Sequence, residues 1–173
     1  MAVIPVIKLG HPTLRKKAEA ISDAEINDEL RELAHNMIDT MRAHDGVGLA
    51  APQVNISKRM FIIDVGVIDE TAEAEAFINP QILSAEGSDT MEEGCLSIPD
   101  VNADVTRPFK LKVLYQTLDG ETIEEEMEGL LARVYQHELD HLNGVLFIDK
   151  ISFLQRKLLE PKLKKIREAN SLA

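Results

Sequence analysis

With a single cysteine in 173 residues, the chain cannot form an intramolecular disulfide, which excludes the small secreted folds that depend on such staples. No apolar run approaches the roughly 20 residues of a membrane-spanning helix. Residues 1–10 carry Pro5 and Lys8 where an apolar signal core would continue, so the segment does not read as a signal peptide. Basic side chains are also scarce. Nineteen Lys and Arg against thirty Asp and Glu give a formal charge of −11, which argues against a basic nucleic-acid-binding surface and against direct DNA binding. No repeat, low-complexity tract or Gly/Ser linker divides the chain. The expectation is a soluble protein of a reducing, cytoplasmic compartment with no membrane partner, 45% hydrophobic and of single-domain length.

The charge is unevenly spread. Residues 150–173 carry Lys150, Arg156, Lys157, Lys162, Lys164, Lys165 and Arg167 against Glu160 and Glu168, a net +5, which leaves −16 on residues 1–149. Phe153, Leu154, Leu158, Leu159, Leu163 and Ile166 fall close to helical spacing, and Pro161 is expected to kink or restart that helix. Residues 150–173 therefore read as a basic helical tail of the same domain. It is either a solvated helix packed by one face or a docking helix for an anionic partner such as ribosomal RNA.

Ser22-Asp23-Ala24-Glu25 has the spacing of a capping box. Ile26, Leu30, Leu33, Met37 and Met41 then recur every three or four residues, an amphipathic helix that ends at His44-Asp45-Gly46. His35 and His44 have no partner at a metal-like spacing and read as incidental. Residues 61–65 and 77–83 are strand candidates, the second despite Pro80; residues 69–75 read as an acidic solvated loop. Phe109, Leu111, Val113 and Tyr115 predict a half-buried strand, Asp119-Gly120 a hairpin turn, and residues 121–127 the return strand. Residues 129–142 predict a helix apolar on most sides, stopped by Asn143-Gly144. The expected fold class is α+β: antiparallel strands wrapped around a central buried helix, with an N-terminal amphipathic helix and a C-terminal helix.

That central helix carries His137-Glu138-Leu139-Asp140-His141. Residues four apart share a face, so the two histidines can hold one cation while Glu138 lies beside its open position. For this composition an HExxH would arise by chance about 0.015 times. Two histidines and two carboxylates are also costly to bury on an apolar helix without a charge to bind. A third ligand is required. Glu160 is the downstream glutamate at a plausible distance, as in zinc endopeptidases, although it sits in the basic tail. Cys95, in the turn Glu93-Gly94-Cys95-Leu96-Ser97, is the other candidate.

Three segments in order, Gly46-Val47-Gly48-Leu49-Ala50-Ala51-Pro52-Gln53, then Glu93-Gly94-Cys95-Leu96-Ser97, then Gln136-His137-Glu138-Leu139-Asp140-His141, resemble the motifs of the peptide deformylases. The resemblance runs from about Leu9 to about Phe147 and makes residues 1–149 a catalytic metallohydrolase domain. It implies hydrolysis of the formyl group from N-formylmethionine on nascent bacterial polypeptides, releasing formate. It implies one divalent metal ion held by Cys95, His137 and His141, typically Fe²⁺, with Ni²⁺, Co²⁺ or Zn²⁺ able to use the same ligands. Glu138 would be general base and then general acid, with Gln53 and the Leu96 backbone N–H stabilising the oxyanion.

Gly46 and Gly48 lack the Lys-Ser/Thr of a phosphate loop; Gly48 instead suits close pairing with an extended peptide. Gly94 lies in the same peptide-binding region, and Val47 and Val134 are candidates for the methionine pocket. Arg133, one turn before His137, either rims that pocket or reaches solvent. Glu93 and Arg107 are candidates for a pair that supports the cysteine loop. Asn102 stands where many family members carry an arginine or an aromatic residue, which bears on contacts beyond methionine. Two alternatives accompany this reading: a zinc endopeptidase using Glu160, and a ribosome-binding protein with a structural metal site.

Overall fold

The computed structural model describes residues 2–171; Met1 of the N-terminal segment and residues 172–173 of the tail lie outside the described residues. Seven strands and three α-helices are present among them: α1 (Asp28–Ala43), β1 (Gly48–Ala50), β2 (Met60–Asp64), β3 (Ala74–Glu86), β4 (Asp89–Cys95), β5 (Ile98–Arg107), β6 (Lys110–Gln116), β7 (Thr122–Glu128), α2 (Gly129–Leu142) and α3 (Phe153–Asn170). Five strands form one antiparallel sheet in the order β1-β2-β3-β6-β7, and β4 and β5 form a separate hairpin.

β2 explains how the layers stack. Its five residues are all buried because both faces are covered. Phe61 and Ile63 join Phe77, Val113, Tyr115, Ala132 and Tyr135 in the core under α2. Met60 and Ile62 face the other way and join Leu30, Ala34, Met37 and Met41 of α1. A third core lies beneath the hairpin, where Ile98, Val101, Ala103 and Val105 meet Leu9, Phe147 and Leu163. α2 thus lies between the sheet and the hairpin, as its apolar circumference predicts, and it occupies the residues expected.

Several expectations change. The capping box closes a short 3-10 turn at Asp23–Glu25; α1 starts later, capped by the Asn27 side chain on the Leu30 N–H. Pro80 is carried within β3 by a register shift between Ile78 and Gln81, with Asn79 at φ +50°, as befits a residue that cannot donate to the ladder. β3 also starts earlier than expected, taking Ala74 and Glu75 out of the acidic loop. Phe109 stays exposed outside β6, while Leu111, Val113 and Tyr115 are buried as expected. α3 runs unbroken through Pro161; that residue and Lys157 are both exposed, so the carbonyl freed by the missing N–H lies on the water side. Only the second half of its apolar pattern packs: Leu159, Leu163 and Ile166 meet the hairpin core, while Phe153, Leu154 and Leu158 stay exposed. No helix among the described residues is long and apolar enough to cross a membrane.

Candidate functional site

The end of the β4–β5 hairpin and the face of α2 opposite the sheet meet beside β1. The hairpin ladder shifts register after Gly94, which pairs with Asn102, and Cys95 closes against Ile98 across a two-residue turn. A Cβ at Gly94 would lie 2.4 Å from Asn102 Oδ1, so any side chain there would have to displace that amide. From α2, His137 and His141 reach the same point, and one ligand atom each from Cys95, His137 and His141 lies within 4.8 Å of the others. Cys95 Sγ is 3.4 Å from His141 Nε2.

Glu93 fixes the tautomer of His137. Hydrogen bonds from His137 and Arg107 overcome the burial that would raise the carboxyl and carry it down to about 2. As a carboxylate it only accepts, so His137 Nδ1, 2.9 Å from Glu93 Oε1, carries a proton, which leaves Nε2 as the nitrogen that would ligate a metal on losing its own. This buried acceptor behind an imidazole is the usual support of a metal-ligating histidine. Against the desolvation that would lower it, hydrogen bonds to Cys95 and Glu93 raise His137 well above the ordinary imidazole range. Burial and the charges of His137 and Arg107 push His141 well below that range, toward the neutral form a ligand needs. One thiol and two imidazoles form a donor set suited to a divalent transition metal.

Glu138 is 3% exposed, and burial pushes its carboxyl up to about 7. Its Oε1 has no hydrogen-bond partner, an orphaned buried atom that faces no structural duty in the fold. Gln53 sits on the 3-10 turn after β1. Its Oε1 accepts from the Ala50 N–H at 2.9 Å, which turns Nε2 toward Ser97 Oγ at 3.1 Å and Cys95 Sγ at 3.5 Å. The turn carrying Leu96 is held from outside by Lys8 Nζ on the Leu96 carbonyl and by the Leu9 N–H on Ser97.

These groups line a cavity of about 560 Å³. Val47, Gly48, Gln53, Gly94, Cys95, Leu96, Val134, His137 and Glu138 all contribute to its wall, so the sequence-derived candidates converge on one place; His141 lies just behind it. Met91 and Leu130 add apolar wall that sequence reasoning missed, since neither lies in a motif. Exposed His44, read as incidental, also borders the cavity.

The remaining expectations divide. Glu160 is absent from the cluster; its carboxylate is taken by Arg167 and Arg156 on its own helix, which removes the endopeptidase ligand set. Of the two alternatives for Arg133 the first holds: it borders the cavity, is 5% exposed and is bonded to Glu93. Glu93 and Arg107 do pair, through two bonds of 2.6 and 2.9 Å. Among the described residues β1 pairs only with β2 and presents its other edge, at Gly48, beside the cavity.

Residues 3–157 match the family model for polypeptide deformylase. A peptide deformylase from Acidobacterium capsulatum is 44% identical over 169 residues, covering 98% of each chain, and one from Thermotoga maritima is 48% identical over 155 residues, 89% of this chain and 90% of its own. The crystal structure of the Thermotoga maritima peptide deformylase superposes with a TM-score of 0.82 at 46% identity, covering 88% of this chain and 99% of its own. That of the Thermus thermophilus enzyme gives 0.88 at 34% identity, over 97% and 99%. On fold, site and sequence together, the chain belongs to the peptide deformylases, a family of metal-dependent hydrolases.

Proposed function

We infer that this chain hydrolyses the N-formyl group of formylmethionine at the start of nascent polypeptides and releases formate, using the cavity between the hairpin, α2 and β1. The observation that carries the reading is the convergence of Cys95, His137 and His141 around one point beside a buried, unpartnered Glu138. We assign Cys95, His137 and His141 as ligands of one divalent ion, Fe²⁺ in the cell, with Ni²⁺, Co²⁺ or Zn²⁺ as substitutes. Bound there, the ion supplies Lewis acidity that brings the ionisation of a water molecule near neutral pH.

The remaining steps fall to the chain's own groups. Glu138, its carboxyl poised near 7, takes the proton of the attacking water and returns it to the departing amine nitrogen as the C–N bond breaks. The formyl oxygen gains negative charge as the carbon becomes tetrahedral. Gln53 Nε2 and the Leu96 backbone N–H are the donors for that charge, and the bond from Ala50 holds the Gln53 amide in orientation beforehand. The free edge of β1 at Gly48 receives the peptide as an added strand, with Gly94 opposite. Val47 and Val134, extended by Met91 and Leu130, form the methionine pocket.

Residues 1–149 would then hold the catalytic machinery and residues 150–173 a basic tail of the same domain. Exposed Phe153, Leu154 and Leu158 beside Lys157 support ribosome docking through α3. A thiol ligand also suits the reducing bacterial cytoplasm. The activity is tested by formate release from formyl-Met-Ala-Ser, measured before and after chelation and after return of Fe²⁺ or Co²⁺ without oxygen. Loss and recovery are expected; turnover insensitive to chelation, or none in the loaded protein, contradicts the assignment. For the tail, Leu154→Ser with Leu158→Ser should weaken ribosome cosedimentation at low salt, and parental cosedimentation would remove that role.

A further inference from the structure

Two arginines cross between the β4–β5 hairpin and α2. Arg107, on the hairpin, reaches Asp140 on the helix at 2.9 Å. Arg133, on the helix, runs the opposite way and donates to the backbone carbonyls of Asp89 on β4 at 2.7 Å and Val105 on β5 at 3.0 Å. Both meet on Glu93. Its Oε1 accepts from Arg107 Nη2 and His137 Nδ1, and its Oε2 from Arg107 Nε and Arg133 Nη1.

The separation these arginines span is the one that matters for the cluster beside them. Cys95 ends the hairpin, whereas His137 and His141 ride on the helix. Nothing covalent near the site fixes one relative to the other. Arg107 can hold Glu93 bidentately by itself and is balanced by Asp140. Arg133 adds what Arg107 does not, a bond from the helix to the backbone of each hairpin strand. A guanidinium placed only to neutralise Glu93 would need neither carbonyl.

We propose that Arg133 is a positioning residue: by tying both hairpin strands and Glu93 to α2, it sets the distance between Cys95 and the two histidines and orients His137 for a cation. This rests on the reading that those three residues hold the metal. Removal of one buried charge from a network leaves the carboxylate less well compensated, so stability alone would not separate this role from a structural one. Metal affinity does.

The test uses Co²⁺ as probe, with affinity measured by chelator competition and the thiolate-to-cobalt absorption recorded for the full chain. Arg133→Met, of similar length, should fold, bind Co²⁺ about 10–100-fold more weakly and show an altered thiolate band. Arg133→Lys should recover only part of the affinity, because an ammonium lacks the planar fork that serves Glu93 and both carbonyls together. Folded Arg133→Met with parental affinity and spectrum overturns the proposal. If that variant does not fold, Arg133→Lys decides: weakened Co²⁺ binding in a folded protein supports the proposal, and parental binding overturns it. Cys95→Ser is measured alongside; parental affinity there removes the ligand reading itself, and the proposal with it.

Discussion

A Cβ on residue 48 would lie 2.7 Å from Glu138 Oε2, so Gly48 makes the space that the Glu138 carboxylate occupies. The same glycine therefore serves two purposes, close approach along the β1 edge and room for the buried acid. Gly48→Ala forces the carboxylate, the far end of a flexible side chain, out of position without touching Cys95, His137 or His141. The expected result is a fall in kcat of about 100-fold, the scale of a 1 Å misplacement in an active site. Metal content by elemental analysis should be unchanged.

Glu93 is surrounded by Arg107, Arg133 and His137, and it is 8% exposed. Glu93→Gln keeps the shape but leaves two buried guanidinium groups short of a negative charge. A loss of about 3–5 kcal/mol is expected, which for a chain of this length lowers the unfolding midpoint by roughly 10 °C. Calorimetry of the metal-free variant checks this, since it removes any contribution from lost metal binding.

Much of the site was legible in the sequence because its chemistry is local. His137, Glu138 and His141 lie within five residues on a helix whose apolar positions recur around its circumference, and Cys95 and Gln53 belong to recognisable motifs. The hairpin that delivers Cys95 was not identified beforehand, although Val101, Ala103 and Val105 alternate with Asn102, Asp104 and Thr106 at the strand period. Arg107 occupies the next buried position in that alternation, where a charged residue disguises the pattern. Met91 and Leu130 come to the cavity from separate elements, and no local signal marks them.

α3 is tied to the rest of the protein by one side chain above all. Leu163 is fully buried against the hairpin core, and Lys162 donates to the Asp100 carbonyl nearby. Leu163→Ala should cost about 2–5 kcal/mol in denaturant unfolding. Leu154→Ala and Leu158→Ala, on the exposed face, should each stay within about 0.5 kcal/mol.

Asp149 joins the turn after α2 to Arg15 and to Arg156 of α3. Burial would raise its carboxyl, but hydrogen bonds from Arg15 and the Leu146 N–H carry it below the ordinary value of 3.8. Its contribution to stability is therefore present above about pH 3.8 and is lost as the pH falls further, toward the depressed folded value. Because both partners are partly exposed, Asp149→Asn should cost only about 0.5–1 kcal/mol at pH 7. The difference from the parent should shrink below that pH, as followed by unfolding at several pH values.

We assign to Glu138 the proton transfer of a metal-dependent hydrolysis at the site of Cys95, His137 and His141. The most direct measurement is formate release from formyl-Met-Ala-Ser by Glu138→Gln, loaded with Co²⁺ to the same content as the parent. Loss of at least about 100-fold in kcat, with metal and fold retained, is the predicted result. Turnover equal to that of the parent would remove Glu138 from that role.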